Sequence, residues 1–170
     1  MDDGIVNRVA TSSLVTFDLE EWYVPGERVS VDIRDALHQG QILKEKEFRE
    51  YVKAYDWEDY RGKMVAITCS VDAIVPTWAY MLLTTVLEPV AKRVYFGSLD
   101  EMESAIFQER LAGIDWEKYR DAKVVVKGCG KVKVPDSAYV EVTRRLRPVA
   151  ASIMFGEPCS TVPLYKRPKA

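Results

Sequence analysis

Hydrophobic and polar residues alternate along two short stretches near the start of the chain, residues 14–19 and 28–33. Alternation with a period of two is typical of a half-buried β-strand. The Pro25-Gly26 pair between the two stretches is typical of a turn. We therefore predict that the fold opens with an N-terminal β-hairpin over residues 14–33.

Two later runs, residues 63–69 and 123–129, are apolar and rich in β-branched residues but do not alternate. Such runs predict parallel strands that are covered on both faces. Each run has a helical pattern before it and another after it, and a further short strand follows the second helix. The helix at 77–88 is apolar almost all round and is expected to be deeply buried. The predicted elements around the two runs are helices at 44–54 and 99–112, helices at 77–88 and 136–147, and strands at 94–97 and 153–156.

The two sets of elements are copies of one another in sequence. When residues 48–97 are laid over 107–156 without a gap, 19 of the 50 positions are identical, against about three for unrelated sequences of average composition. We interpret the match as an internal duplication of a helix-strand-helix-strand unit. The predicted fold is a single α/β domain with three layers and one mostly parallel sheet, in which the first strands of the two copies lie side by side and the strand order is 2-1-3-4.

Composition and charge limit the classes of function. The chain has 170 residues, 48% of them hydrophobic and 29% charged, which is ordinary for a soluble globular protein. It carries no recognisable signal peptide, membrane span or nucleic-acid motif, so we expect a cytoplasmic protein that binds neither membrane nor nucleic acid. Its formal charge is −2, but residues 118–170 hold 12 basic and 4 acidic groups.

The basic C-terminal third has two interpretations. It is an anion-binding site, or it faces the acidic remainder of the chain within the fold or across a homodimer. For the first interpretation, the candidate anion-binding residues are Lys127, Lys131 and Arg144. The helix that begins near residue 136 would present its N-terminus to the same anion.

The three cysteines are the most specific candidate for chemistry. Cys69 and Cys129 end the two central strands, and Cys159 follows the last predicted strand, so a single sheet would place all three at its carboxyl edge. We predict that they bind a metal ion such as zinc, or an iron–sulfur centre, with Asp72 or a water as the fourth ligand. An open coordination position would permit metal-assisted catalysis, but the sequence does not establish that the protein is an enzyme.

Two alternatives to the metal site remain open. Cys129 is a candidate reactive thiol for redox chemistry because neighbouring cations lower the pKa of a thiol. In the second alternative, the three cysteines are small buried hydrophobes, and the protein is a non-catalytic homodimer that serves as a binding or scaffold protein. The cations that flank Cys129 are Lys127, Lys131 and Lys133.

Two further polar features have a structural and a functional interpretation. Asp18, Glu20 and Glu21 form an acidic cluster that is either a solvated strand end or a source of metal ligands and acid–base groups. His38, the single histidine, lies beside a Gln-Gly-Gln turn and is either a polar residue exposed to solvent or a catalytic group. We favour the structural interpretation for both features.

Four strings of residues resemble a known family. They are 5–9 (IVNRV), 68–80 (TCSVDAIVPTWAY), 127–130 (KGCG) and 155–163 (FGEPCSTVP). Together they resemble a family of small bacterial proteins, chiefly from Bacteroidetes, that is catalogued as a domain of unknown function. The resemblance covers nearly the whole chain and implies no activity, so the function has to be argued from the candidate site.

Overall fold

The computed structural model of the chain describes residues 14–128 and 130–168. The chain divides into two compact units. One combines the described residues up to Tyr23 with those from Ile106 onward, and we call it the four-stranded unit; the other, Val24–Ala105, is the three-stranded unit. In chain order the elements are β1 (Leu14–Asp18), β2 (Arg28–Asp32), α1 (Glu45–Ala54), β3 (Met64–Thr68), α2 (Thr77–Leu87), β4 (Arg93–Phe96), α3 (Leu99–Ala112), β5 (Lys123–Lys127), α4 (Asp136–Leu146), β6 (Ser152–Glu157) and β7 (Ser160–Lys166).

Each unit is built on a sheet that is mostly parallel. In the four-stranded unit the order is β1-β5-β6-β7, where β1, β5 and β6 run parallel and β7 returns antiparallel beside β6. In the three-stranded unit the order is β2-β3-β4, and all three strands are parallel. The α/β class and the mostly parallel pairing predicted from the sequence are confirmed.

Two details of the predicted topology are wrong. The central strands β3 and β5 belong to different sheets, so no single sheet of order 2-1-3-4 forms. The N-terminal β-hairpin is absent as well, because β1 pairs with β5 and β2 pairs with β3. A strand that is apolar on both faces needs a hydrogen-bonding neighbour on each side. The two N-terminal strands supply that neighbour, one to each central strand.

The two units have equivalent elements. The pairs β3 and β5, α2 and α4, and β4 and β6 each begin 59 positions apart. The N-terminal strands extend this correspondence, since Leu14 of β1 lies opposite Lys123 while Arg28 of β2 lies opposite Met64. Lys123 and Met64 are themselves 59 positions apart. The repeated unit therefore includes an N-terminal strand, and the first described strand serves the second copy.

Both N-terminal strands end in the same way because each has an aspartate at its last position. The carboxylates of Asp18 and Asp32 accept the backbone N–H groups of Glu20 and Arg34, each at 3.0 Å, and so begin a 3-10 turn. Aspartate is favoured at such positions because its short side chain satisfies a backbone donor two residues on.

Helix α2 is less buried than its apolar sequence predicts. Of its eleven residues only Ala79, Leu83 and Leu87 are buried, whereas Met81 is 64% exposed. The expectation of a deeply buried helix is therefore wrong. No helix in residues 14–128 and 130–168 combines the length and the hydrophobicity that crossing a membrane requires.

Candidate functional site

A cleft of about 810 Å³ lies at the carboxyl end of β5 in the four-stranded unit. Its walls come from the connection between β5 and α4, from α4 itself and from β6 and β7. Open parallel sheets commonly bind ligands at this edge. The residues that line it are Val126, Gly128, Gly130, Lys131, Val132, Lys133, Val134, Asp136, Tyr139, Val140, Thr143, Phe155 and Leu164.

The walls of the cleft are mainly apolar and partly exposed to solvent. Val140 on α4 is 68% exposed, and Leu164 on β7 is 52% exposed. The ring of Tyr139 meets the ring of Phe155 edge to face, with the centroids 5.8 Å apart and the planes at 80°. Apolar surface left open to water in this way favours an occupant with an apolar body.

The charged residues of the cleft are two cations and one anion. Lys131, Lys133 and Asp136 all line it, and all three are exposed. Helix α4 begins at Asp136, and its N-cap residue Pro135 makes no side-chain capping bond. The lysines and the N–H groups at the start of α4 together favour an anionic group at this end of the cleft.

The connection that carries Lys131 is held by a carboxylate from the turn after β1. Glu20 Oε1 accepts the backbone N–H groups of both Gly130 and Lys131, the second at 2.8 Å. A Cβ atom at Gly130 would lie 2.7 Å from the same oxygen, which is closer than real Cβ atoms approach. Glycine at position 130 therefore permits the close approach that fixes the backbone around Lys131.

Gly128 has a similar packing role on the other side of the connection. A Cβ atom there would lie 2.8 Å from Tyr139 Oη and 2.9 Å from Leu19 Cβ. The equivalent position in the three-stranded unit is Cys69, so a side chain is tolerated at the end of β3 but not at the end of β5. The cleft depends on this glycine because Tyr139 forms part of its wall.

The structure separates the three predicted anion-binding residues. Of these, Lys131 alone lines the cleft. Lys127 Nζ is 3.2 Å from Asp18 and 3.9 Å from Glu157, and its hydrogen bond to Asp18, together with both negative charges, raises the pKa of Lys127. Arg144 is bound to a carboxylate on its own helix, with Nε 2.8 Å from Glu141 Oε2.

The structure does not support the geometric basis of the cysteine site. Cys69 is half-buried at the end of β3 and donates its thiol to the Val71 carbonyl at 3.4 Å, while Cys159 is exposed in the turn between β6 and β7. These two residues belong to different units, and β3 does not lie beside β5. Cys129 lies outside the described residues. Asp72 is exposed in the connection after β3.

Metal binding by the cysteines stays a prediction. In the part of the chain that the structure describes, no three His, Cys, Asp or Glu side chains are grouped so as to hold a metal ion. That statement does not include Cys129. The expected meeting of Cys69 and Cys129 at the centre of one sheet is wrong, because the two central strands are in separate sheets.

The other polar candidates have structural contacts. Asp18 caps its turn and binds Lys127, and Glu20 holds the connection after β5. His38 Nδ1 lies 3.0 Å from Glu47, and its Nε2 lies 2.9 Å from Lys44 Nζ. These contacts give Asp18, Glu20 and His38 structural partners, but Asp18 and Glu20 are not the solvated strand end that we favour from the sequence.

Tyr139, Phe155 and Leu164 are cleft residues that the sequence analysis did not identify. A signal for the first two was present, since Tyr80 and Phe96 are their equivalents 59 positions earlier and make the same edge-to-face contact at 5.1 Å. Leu164 lies on β7, a strand with no equivalent in the first copy. No repeat was available to reveal it.

Comparison with known proteins identifies the family of the chain. A family model described as "Protein of unknown function (DUF2480)" matches residues 3–167. The chain belongs to this family. The predicted resemblance to a domain of unknown function is thereby confirmed, although the match carries no information about the organisms in which the family occurs. No curated protein and no solved structure matches the chain.

Proposed function

We propose that this protein binds a small amphipathic anion, a molecule with an apolar body and one acidic group, in the cleft of the four-stranded unit. The observation that carries the proposal is the combination of apolar walls with Lys131 and Lys133 in one cleft. Its volume of about 810 Å³ falls within the range of roughly 300–1,000 Å³ typical of small-molecule sites.

The apolar walls and the cations select different parts of the ligand. Val140, Phe155 and Leu164 offer an apolar surface, which gains free energy when a hydrocarbon or an aromatic ring displaces water from it. Two lysines and one carboxylate, Asp136, line the cleft, and the nearby Glu20 carboxylate already accepts the backbone N–H groups of Gly130 and Lys131. The charged side chains that line the cleft therefore favour an acid over a base. A neutral ligand would gain free energy from the apolar surface but not from the lysine charges.

The equivalent region of the three-stranded unit has different chemistry. Asp72 and Ile74 stand where the cleft has Lys131 and Lys133. Anion binding is therefore a property of one copy of the repeat, and the other copy serves as an internal comparison for it.

The test compares decanoate with its uncharged analogue decanol by isothermal titration calorimetry at pH 7. The unaltered protein is expected to bind decanoate more tightly, and less tightly as salt is added, because ions screen the lysine charges. The double variant Lys131→Glu/Lys133→Glu should weaken decanoate binding by about tenfold or more. Decanol binding should change little.

The matched control is the double variant Lys118→Glu/Lys123→Glu, which makes the same charge change at two exposed lysines that do not line the cleft. It should leave decanoate binding within about twofold, a difference well under 1 kcal/mol. If decanol binds as well as decanoate, or if Lys131→Glu/Lys133→Glu binds decanoate as well as the control does, the proposed anion site is wrong.

The cytoplasmic location expected from the sequence remains a proposal. Metal binding by the cysteines is a further proposal, separate from the anion site. The metal hypothesis depends on Cys129, which lies in the sequence between the cleft residues Gly128 and Gly130. Metal analysis of protein purified without added metal tests it directly. About one equivalent of zinc that is lost in a Cys129→Ser variant would support it, and the absence of stoichiometric metal would end it.

A further inference from the structure

The outer surface of α2 lacks the features that stabilise a solitary helix in water. Four residues with the spacing four, three, four lie along it, and all four are exposed. We call them the α2 seam: Thr77, Met81, Thr84 and Glu88. This spacing is the heptad spacing by which one helix packs against another.

The charges along α2 are placed unfavourably for the helix itself. Its eleven residues include no charged group, its N-cap Pro76 makes no side-chain capping bond, and its first turn contains no acid. Glu88 stands instead at the C-cap, where the helix dipole disfavours a negative charge. Glu88 forms no ion pair with any residue in 14–128 or 130–168.

The equivalent helix α4 shows the opposite arrangement. The positions that match the two ends of the seam are Asp136 at its N-terminus and Arg147 at its C-cap. Both charges suit the dipole of their own helix, as expected for a helix that faces water. The contrast between two copies of one sequence indicates that α2 has a different environment.

A second copy of α2, packed antiparallel, would satisfy both ends of the seam. When the pair is centred between residues 82 and 83, Thr77 lies opposite Glu88 of the second copy, and Met81 lies opposite Thr84 of the second copy. Each Glu88 then meets the uncapped, positive N-terminus of the other helix. Arg49, which is ion-paired with Glu45 at 2.9 Å, also lies at that end, with its guanidinium 5.4 Å from the centroid of the Trp78 ring.

The remaining groups along the seam are suited to burial. The Thr84 hydroxyl donates to the Tyr80 carbonyl at 2.8 Å, so it needs no acceptor from a partner. Met81 is 64% exposed, and Ile74, three residues before the helix, is 84% exposed. We propose that the protein is a homodimer in which α2 of one copy packs antiparallel against α2 of the other.

Sedimentation velocity over protein concentrations up to about 100 µM tests the proposal. The unaltered chain should be dimeric, and Met81→Glu should raise the dimer dissociation constant by about tenfold or more because it places a carboxylate in the seam of both copies. Val140→Glu is the matched control, since Val140 is the equivalent residue of α4 and is 68% exposed. It should leave the oligomeric state unchanged.

A charge exchange distinguishes antiparallel self-pairing from other dimers and serves if Met81→Glu fails to fold. Thr77→Glu places an acid at the N-terminus of α2, which favours the isolated helix but opposes Glu88 of the second copy. It should weaken the dimer by about tenfold. Adding Glu88→Lys to the same chain should restore the dimer to within about threefold of the unaltered protein.

Three results would overturn the homodimer. The first is an unaltered chain that stays monomeric at these concentrations, which would leave the seam to a different protein. The second is a dimer that Met81→Glu and Val140→Glu affect equally. The third is a charge-exchanged double variant that dimerises no better than Thr77→Glu alone.

Discussion

Glu141 in α4 shows how a single buried carboxylate depends on its neighbours. The side chain is 10% exposed and accepts hydrogen bonds from Arg144 at 2.8 Å and from Arg145 at 2.7 Å. The hydrogen bond from Arg144, followed by that from Arg145 and by both positive charges, outweighs desolvation and lowers the pKa of Glu141 to about 2. The equivalent position in the three-stranded unit is Leu82, so the charge is particular to the second copy.

The lowered pKa predicts a pH-dependent contribution to stability. Because the folded state holds the proton less tightly than the unfolded state, the contribution is present above about pH 4.5 and is lost as the pH falls through about 2. Glu141→Gln should lower the free energy of unfolding by about 2 kcal/mol at pH 7 and by much less at pH 2.5, as measured by urea denaturation. The loss of free energy is expected to be smaller than the pKa change alone would give, because both arginines are partly exposed and solvent screens their charges.

Glu58 provides the control for this prediction. Its pKa is also lowered, mainly by the side-chain hydrogen bond from Arg61, but its side chain is 58% exposed. Solvent screening leaves such surface pairs with contributions under about 1 kcal/mol. Glu58→Gln should therefore change the stability little at either pH. Equal losses in the two variants would show that burial does not strengthen the Glu141 pair.

At the scale of elements, the connection between β5 and α4 depends on one residue of the turn after β1. Glu20 accepts two backbone N–H groups from this connection, and hydrogen bonds to a charged group contribute about 1.5–3 kcal/mol. Glu20→Ala should therefore lower the free energy of unfolding by about 1–2 kcal/mol and speed amide hydrogen exchange at Gly130 and Lys131. Glu21→Ala, at the adjacent exposed position, should do neither. Unchanged exchange at Lys131 in Glu20→Ala would contradict this role.

The same connection shows what the sequence alone can predict. The helices and central strands were predictable because their hydrophobic periodicity is strong and occurs twice. The contact from Glu20 to residue 130 was not, because it joins positions 110 apart and no local pattern encodes it. The lysines of the cleft were visible as a basic excess, but Lys127 and Arg144 were indistinguishable from Lys131 until their carboxylate partners were known.

Pairing of the N-terminal strands was mispredicted for a related reason. A local turn between two alternating strands normally makes a hairpin, and Pro25-Gly26 fits that rule. The competing signal was the repeated Asp18-Leu19 and Asp32-Ile33, which marks β1 and β2 as equivalent strands rather than partners. Equivalent strands belong in equivalent places, one beside each central strand. The gap-free match between the two copies begins at residue 48, so it does not extend to this signal.

At the scale of the whole molecule, the two N-terminal strands pair with the copies in the reverse of their order along the chain. β1, the first described strand, pairs with β5 of the second copy, and β2 pairs with β3 of the first. Phe17 in β1 and Val31 in β2 occupy equivalent positions, 2% and 4% exposed. Phe17 stacks on Trp116 with a centroid distance of 5.4 Å, in the core of the four-stranded unit, whereas Val31 packs in the core of the three-stranded unit.

This crossed arrangement predicts reciprocal effects of two alanine substitutions. Phe17→Ala should cost about 3–5 kcal/mol and reduce hydrogen-exchange protection in β5 while β3 stays protected. Val31→Ala should cost about 2 kcal/mol and reduce protection in β3 while β5 stays protected. Mass spectrometry of exchanged peptides that contain each central strand measures both effects in one experiment. If the substitution in β1 opened β3 instead, each N-terminal strand would belong to the copy nearest to it in sequence, and the crossed pairing would be wrong.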